Sequence, residues 1–191
     1  MEIRSFLAFD LPAEIKNTIA RVLGEMKKTP LDVKWVKADN IHLTTVFMGN
    51  IQVESMKDIG EEIRLVCLRY GPFDIALRGM GLFPGRSSPR VLWLGLTGDL
   101  ERLAQFRDDL QGALRSFGIK QEKRKFKPHL TLGRFRRSRR GKTQLNDLLW
   151  NYNDLKSPVC SLEELALYKS ELKASGAEYT RLDSWSLTGQ D

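Results

Sequence analysis

Two stretches decide how this chain is read: Asn40-Ile41-His42-Leu43-Thr44-Thr45-Val46-Phe47-Met48-Gly49-Asn50 and Lys127-Pro128-His129-Leu130-Thr131-Leu132-Gly133-Arg134. They hold the only two histidines among 191 residues, and in each the histidine is followed by Leu-Thr. The β-formers around them predict strands over residues 41–48, closed by Gly49-Asn50, and over residues 129–135. Side chains at i and i+2 of a strand share a face, so His42 is expected beside Thr44 and His129 beside Thr131. Leu43 and Leu130 then point the other way, into a core. The two copies lie 87 residues apart, near half the chain, and this spacing suggests two similar lobes. Elsewhere the halves share no obvious sequence.

Working outward, hydrophobic periodicity predicts a strand over residues 3–9 and another over 33–36. Between them Asp10-Leu11-Pro12 opens a helix running to about residue 27, with Pro accepted in its first turn. Residues 53–70 carry helical spacing, since Ile59, Ile63, Val66 and Tyr70 recur three or four apart. Strands at 73–77 and 91–96 are expected to flank a turn-rich loop over 79–89. Asp99 is expected to cap a helix through Phe117, ended by Gly118, with Leu103, Phe106, Leu110 and Leu114 on one face. A short helix over 143–152 follows the second histidine stretch. Two strands over 162–169 and 179–187, turning at Ala174-Ser175-Gly176, complete the chain. The order β-α-β-β-α-β-β-α-β-α-β-β predicts an α+β fold with mostly antiparallel sheets. No segment reads as a linker, so residues 1–191 are taken as one domain.

At 41% hydrophobic and 29% charged, the composition is globular, and no apolar run approaches the roughly 18 residues of a membrane span. The N-terminus enters an apolar run at once, without a signal-peptide layout, so a cytoplasmic protein with no membrane contact is expected. Cys67 and Cys160 are too few and too far apart for a disulfide scaffold. Together with two distant histidines they make a poor zinc set, so neither a metal nor a cofactor is expected. The net charge of +7 is unevenly spread. Residues 121–142 hold ten Lys or Arg against a single acid, Glu122, while the other 169 residues sum to −2. The whole positive excess therefore brackets His129. Such a stretch attracts phosphate backbones, although basic runs are also common as solvated surface. Phe126 and Phe135 within it could stack on bases or belong to the core.

Two imidazoles, each with a hydroxyl on its own strand face, suit phosphodiester chemistry. Near neutral pH one can take a proton from water while its protonated mate donates to the leaving oxygen. The hydroxyls of Thr44 and Thr131 can bond non-bridging phosphate oxygens in the transition state. One motif alone is better read as an ordinary strand histidine beside a β-forming threonine. The matched pair next to a basic stretch reverses that preference. Arg134 is the natural bidentate donor for phosphate. In an unbroken strand it has the wrong parity to share a face with His129; a bulge or strand end at Gly133 could turn it back toward the site, and without one it is merely another surface arginine.

With these residues the chain resembles the two-histidine phosphoesterase superfamily, whose signature is a pair of His-x-Thr-x motifs, here His42-Leu43-Thr44-Thr45 and His129-Leu130-Thr131-Leu132. Within it, the chain is most similar to the bacterial and archaeal RNA 2′,3′-cyclic phosphodiesterases, also called 2′-5′ RNA ligases. Arg4-Ser5-Phe6-Leu7-Ala8-Phe9-Asp10-Leu11-Pro12, Trp35-Val36, Arg90-Val91-Leu92-Trp93-Leu94-Gly95 and Leu167-Tyr168-Lys169-Ser170 support the likeness, which covers essentially the whole chain. The resemblance implies a bilobal α+β fold with a central cleft and pseudo-two-fold symmetry, each lobe contributing one motif. It implies metal-independent opening of a 2′,3′-cyclic phosphate at an RNA end, such as a tRNA fragment, to a 2′-phosphomonoester. In family terms His42 is the proton donor, His129 the acceptor, and Arg134 a substrate-binding residue. A monomer is expected. Two other functions compete: joining RNA through a 2′-5′ bond, and binding RNA or nucleotides without chemistry.

Overall fold

The computed structural model describes residues 1–136, 142–174 and 176–189, except for the side chains of 142–144. The described residues form two antiparallel sheets with four α-helices packed on them. The first sheet has the order β3 (Leu43–Gln52), β1 (Glu2–Phe9), β8 (Glu164–Lys173), β9 (Gly176–Ser186). The second runs β2 (Val33–Trp35), β6 (His129–Phe135), β5 (Val91–Gly98), β4 (Phe73–Phe83), β7 (Cys160–Leu162). The helices are α1 (Ala13–Met26), α2 (Met56–Cys67), α3 (Leu100–Ala113) and α4 (Lys142–Asn151). The α+β class and its antiparallel sheets are thus those the sequence predicts. The two sheets are not, however, the two halves of the chain. β1 must be covered on both edges, and it takes β3 on one side and the late strand β8 on the other. β2, from the first half, crosses over to pair with β6.

One buried apolar cluster runs through both sheets, and Leu43 and Leu130 are both fully buried in it. α1 contributes the stripe Ile15, Ile19, Val22, Leu23 and Met26, spaced at three and four as its amphipathic pattern requires. Several expected boundaries move. β3 does not stop at Gly49-Asn50 but continues to Gln52, because Gly49 takes up φ 74° at an irregularity in the pairing with β1 and lets the ladder resume. The turn-rich stretch 79–89 is strand as far as Phe83. Arg78 and Gly79 bulge out between the pairs Leu77–Leu96 and Met80–Leu94, and pairing resumes beyond. Asp99 precedes α3 but does not cap it: its Oδ2 accepts from the backbone N–H of Asp74 at 3.0 Å and from Arg102 at 3.0 Å. A short strand absent from the expected order, β7, pairs with the start of β4. Gly118 ends the turn after α3 in the left-handed conformation, as expected. The final hairpin closes between Lys173 and Gly176, with Ser175 outside the described residues. Both cysteines are free.

β2 packs directly against Gly133, just after the second motif. A Cβ built there meets Val33 Cγ1 at 2.4 Å and the Lys34 carbonyl oxygen at 3.1 Å. The neighbouring backbone cannot easily retreat, since Lys34 and Trp35 are held in register with Arg134 and Gly133. Gly133→Ala is therefore expected to destabilise the fold by about 1–3 kcal/mol, read as a lower urea midpoint at unchanged slope. An unaltered midpoint would show that β2 is free to shift.

Candidate active site

The two motifs have the same local shape. His42 stands immediately before β3, and both His42 and Thr44 are half-buried while Leu43 is fully buried. On β6 the half-buried His129 and Thr131 alternate with the buried Leu130. In each strand one residue then drops out of register. β1 pairs Ala8 with Thr44 and Leu7 with Val46, passing over Thr45, which turns inward and donates its hydroxyl to the Leu7 carbonyl at 3.1 Å. β5 pairs Trp93 with Thr131 and Leu92 with Gly133, passing over Leu132. Each bulge places two buried residues in succession and reverses the alternation beyond them. Phe47 returns to the face of His42 and Thr44, 69% exposed, and Arg134 returns to the face of His129 and Thr131. The parity obstacle to Arg134 is removed by the register shift beside Gly133.

Both imidazoles are fixed from behind by the backbone two residues earlier. His129 Nδ1 lies 2.7 Å from the Lys127 carbonyl oxygen, so a proton on Nδ1 is donated there and Nε2 is left for other partners. The His42 ring makes the equivalent bond to the backbone of Asn40. Asn40 itself is anchored by its Nδ2, which donates to the Ala177 carbonyl of β9 at 2.8 Å. Aromatic rings wall each histidine. His42 stacks on Phe6 at 4.7 Å between centroids and meets Tyr179 edge-on at 5.2 Å, with Tyr168 stacked beyond at 6.2 Å. His129 meets Phe83 edge-on at 4.9 Å and Trp93 at 6.3 Å.

These walls strip water from the rings, and burial is the largest cause of a lowered pKa in both. His42 is pushed down to about 4, against the opposing pull of its bond to Asn40 and of the Asp10 carboxylate. His129 is lowered as well; its bond to Lys127 opposes the shift and the Arg134 guanidinium adds to it. The charged neighbours therefore have opposite signs: a carboxylate near His42 and a cation near His129. Asp10 is held in place by the Tyr168 hydroxyl, which donates to Oδ1 at 2.6 Å, and by Arg181 at 3.3 Å from Oδ2. Sequence reading assigns Asp10 only to the start of a helix and gives Tyr179 no role. Nothing local in the sequence shows that β8 and β9 return beside the first motif.

β3 and β6 belong to different sheets, yet residues of the two strands come within 8 Å of each other, Cα to Cα. The fold therefore brings the two motif strands together. Of the basic run at 136–140, Arg136 is exposed, with Asp32 at 3.8 Å, and Arg137, Arg139 and Arg140 lie outside the described residues. Cys67 is buried, with its thiol pushed up to about 12, and is unsuited to serve as a nucleophile.

Two antiparallel sheets, each presenting a histidine and a threonine at the start of a bulged strand, define a two-motif phosphoesterase architecture. The chain belongs to the 2′-5′ RNA ligase superfamily, whose family model matches residues 11–174. A protein of Aeropyrum pernix named RNA 2′,3′-cyclic phosphodiesterase is 34% identical over 86% of this chain and 92% of its own. One of the same name from Methanothermobacter thermautotrophicus is 30% identical over 98% of this chain and all of its own. Among solved structures, Escherichia coli LigT complexed with 3′-AMP superposes with a TM-score of 0.77 at 29% identity, covering 98% of this chain and 99% of that one.

The depressed pKa of His42 has a consequence for stability. As pH falls from 6.5 towards 4, the unfolded chain takes up a proton at this residue that the folded chain does not. Stability is therefore lost on acidification through that window, by up to roughly 3 kcal/mol from this residue. Urea midpoints measured between pH 7 and pH 4 are expected to fall, and His42→Gln should remove much of that slope. An identical slope in the variant would contradict the burial of a neutral imidazole.

Proposed function

We propose that this protein hydrolyses 2′,3′-cyclic phosphates at RNA ends to 2′-phosphomonoesters, using His42 and His129 as acid and base and no metal. The observation that carries this reading is the approach of β3 and β6, each with its His-Thr pair on one face. The names of the relatives support the substrate class, and the 3′-AMP complex of the E. coli protein supports a nucleotide ligand. A cytoplasmic monomer acting on cleaved RNAs, tRNA fragments among them, is part of the same reading.

In the proposed reaction a water molecule attacks phosphorus in line with the P–O3′ bond. His129 Nε2 accepts the proton of the attacking water, the P–O3′ bond breaks, and His42 gives its proton to the departing 3′ oxygen. Thr44, Thr131 and the Arg134 guanidinium donate to the non-bridging oxygens as negative charge builds on them. The signs of the neighbouring charges favour this division of roles, although burial outweighs Asp10 at His42 and takes its pKa down to about 4 in the free protein. Asp10 favours the charged form of His42, and Arg134 favours the neutral form of His129. Burial leaves both rings largely neutral in the free protein. The anionic phosphate then raises both pKa values when it binds, which makes protonation of the donor dependent on substrate. The same residues would catalyse 2′-5′ joining by microscopic reversibility, the activity that gives the superfamily its name.

Turnover of a 2′,3′-cyclic-phosphate oligonucleotide is expected to survive EDTA and to fall about 10²–10⁴-fold in each of His42→Ala and His129→Ala. Full activity in either variant sinks the reading, and binding without turnover favours a non-catalytic module. Replacing the 3′ leaving oxygen by sulfur separates the two roles, because a thiolate departs without a proton. That substrate should restore His42→Ala and leave His129→Ala inactive; the reverse pattern exchanges the roles. The optimum of kcat/KM, which reports the free protein, should lie below pH 6.5, with that of kcat displaced to higher pH.

A further inference from the structure

The basic stretch before the second motif is a shaped surface. Residues 121–126 wrap against α3 and enclose with it an open groove of about 500 Å³, lined by Arg107, Gln111, Lys123, Arg124, Lys125 and Phe126 among others. Its floor is rigid. Arg107 is buried, with 7% of its side chain exposed; one terminal nitrogen donates to the Glu122 carbonyl at 3.0 Å, and the guanidinium lies 5.5 Å from the centre of the Phe126 ring. Gln111 is buried beside it. Among the described residues, Arg107 Nε is buried with no hydrogen-bond partner. The loop is thus pinned to the helix instead of floating in solvent.

The charges in this groove are only partly balanced. Its two carboxylates are already engaged, Asp108 with Arg107 at 2.7 Å and Glu122 with Arg124 at 2.5 Å. Lys123 and Lys125 are exposed, and neither makes an ion pair among the described residues. The groove is also near the candidate chemistry. At 3.8 Å per residue, the Cα of Lys125 lies within about 15 Å of that of His129, and the Cα of Lys123 within about 23 Å. That reach spans a few nucleotides of a stacked strand, with its axial rise of about 3.4 Å. A 2′,3′-cyclic phosphate closes the 3′ end of an RNA, so every further nucleotide extends from the site in the 5′ direction.

Resting on the proposed function, we propose that the groove between α3 and residues 121–126 holds the single-stranded RNA immediately 5′ of the cyclic end, with Lys123 and Lys125 contacting its phosphates. The basic contact used for chain recognition is then the segment that leads into His129. This track separates RNA ends from cyclic mononucleotides, which cannot reach it.

The test compares the wild type with Lys123→Ala/Lys125→Ala, two exposed loop positions whose loss leaves the core untouched. Binding is measured by fluorescence anisotropy for a short oligoribonucleotide ending in a 2′-phosphate, and by competition for adenosine 2′-monophosphate. Across a salt series the double variant should bind the oligonucleotide about fivefold to twentyfold more weakly. Its salt dependence should fall by about 1.4 in log–log slope, at roughly 0.7 per phosphate contact, with the mononucleotide as control. Unchanged oligonucleotide affinity and slope overturn the proposal, as does an equal loss for both ligands. Competition by polyglutamate as effective as by RNA of matched charge also overturns it, since the surface would then select charge alone. Because binding is read without turnover, a chain that binds as predicted but opens no cyclic phosphate refutes the proposed reaction and leaves the track standing.

Discussion

The site depends on a single extra residue in each motif strand. A regular strand would send the fifth residue after each histidine to the opposite face. The bulges at Thr45 and Leu132 cancel that half-turn, so Phe47 and Arg134 join the faces that carry His42, Thr44, His129 and Thr131. Each bulge is held by something specific. Thr45 spends its hydroxyl on the Leu7 carbonyl, and Gly133 admits β2 at a distance no Cβ allows. The neighbouring strands are therefore part of the site even where they contribute no functional atom.

The two motifs share geometry and differ in charge. Backbone carbonyls orient both rings alike, and aromatic walls lower both pKa values. What breaks the symmetry comes from outside the His-x-Thr pattern: Asp10, placed by Tyr168 and Arg181 of the closing hairpin, and Arg134, placed by a bulge. Two imidazoles with the same local geometry are thereby placed in fields of opposite sign. Phe47 and Arg134 extend the asymmetry, since equivalent positions offer an apolar ring on one side and a guanidinium fork on the other.

Much of the fold is written locally. Helical spacing places α1, α2 and α3, and the β-rich runs around both histidines are strands because alternation and β-branched residues leave little else. The sequence is least informative where glycines occur within strands. Gly49, Gly79 and Gly81 read as turns, yet each lies within a continuing strand, because a glycine that relieves a bulge or admits a neighbouring indole looks in sequence like one that ends an element. Asp99 illustrates the same limit for side chains: its carboxylate is taken by Asp74 and Arg102, partners a capping rule cannot foresee.

The sequence alone determines the two His-Thr pairs, their inward-pointing leucines, the α+β order and the basic flank of His129, because each depends on residues within a few positions of one another. Tertiary structure alone decides that each sheet draws strands from both halves of the chain, that Asp10 and the closing hairpin stand behind His42, and that α3 turns a basic run into a groove. Those features join residues that are distant in the chain, and strand pairing and burial, which set them, act only once the sheets have formed.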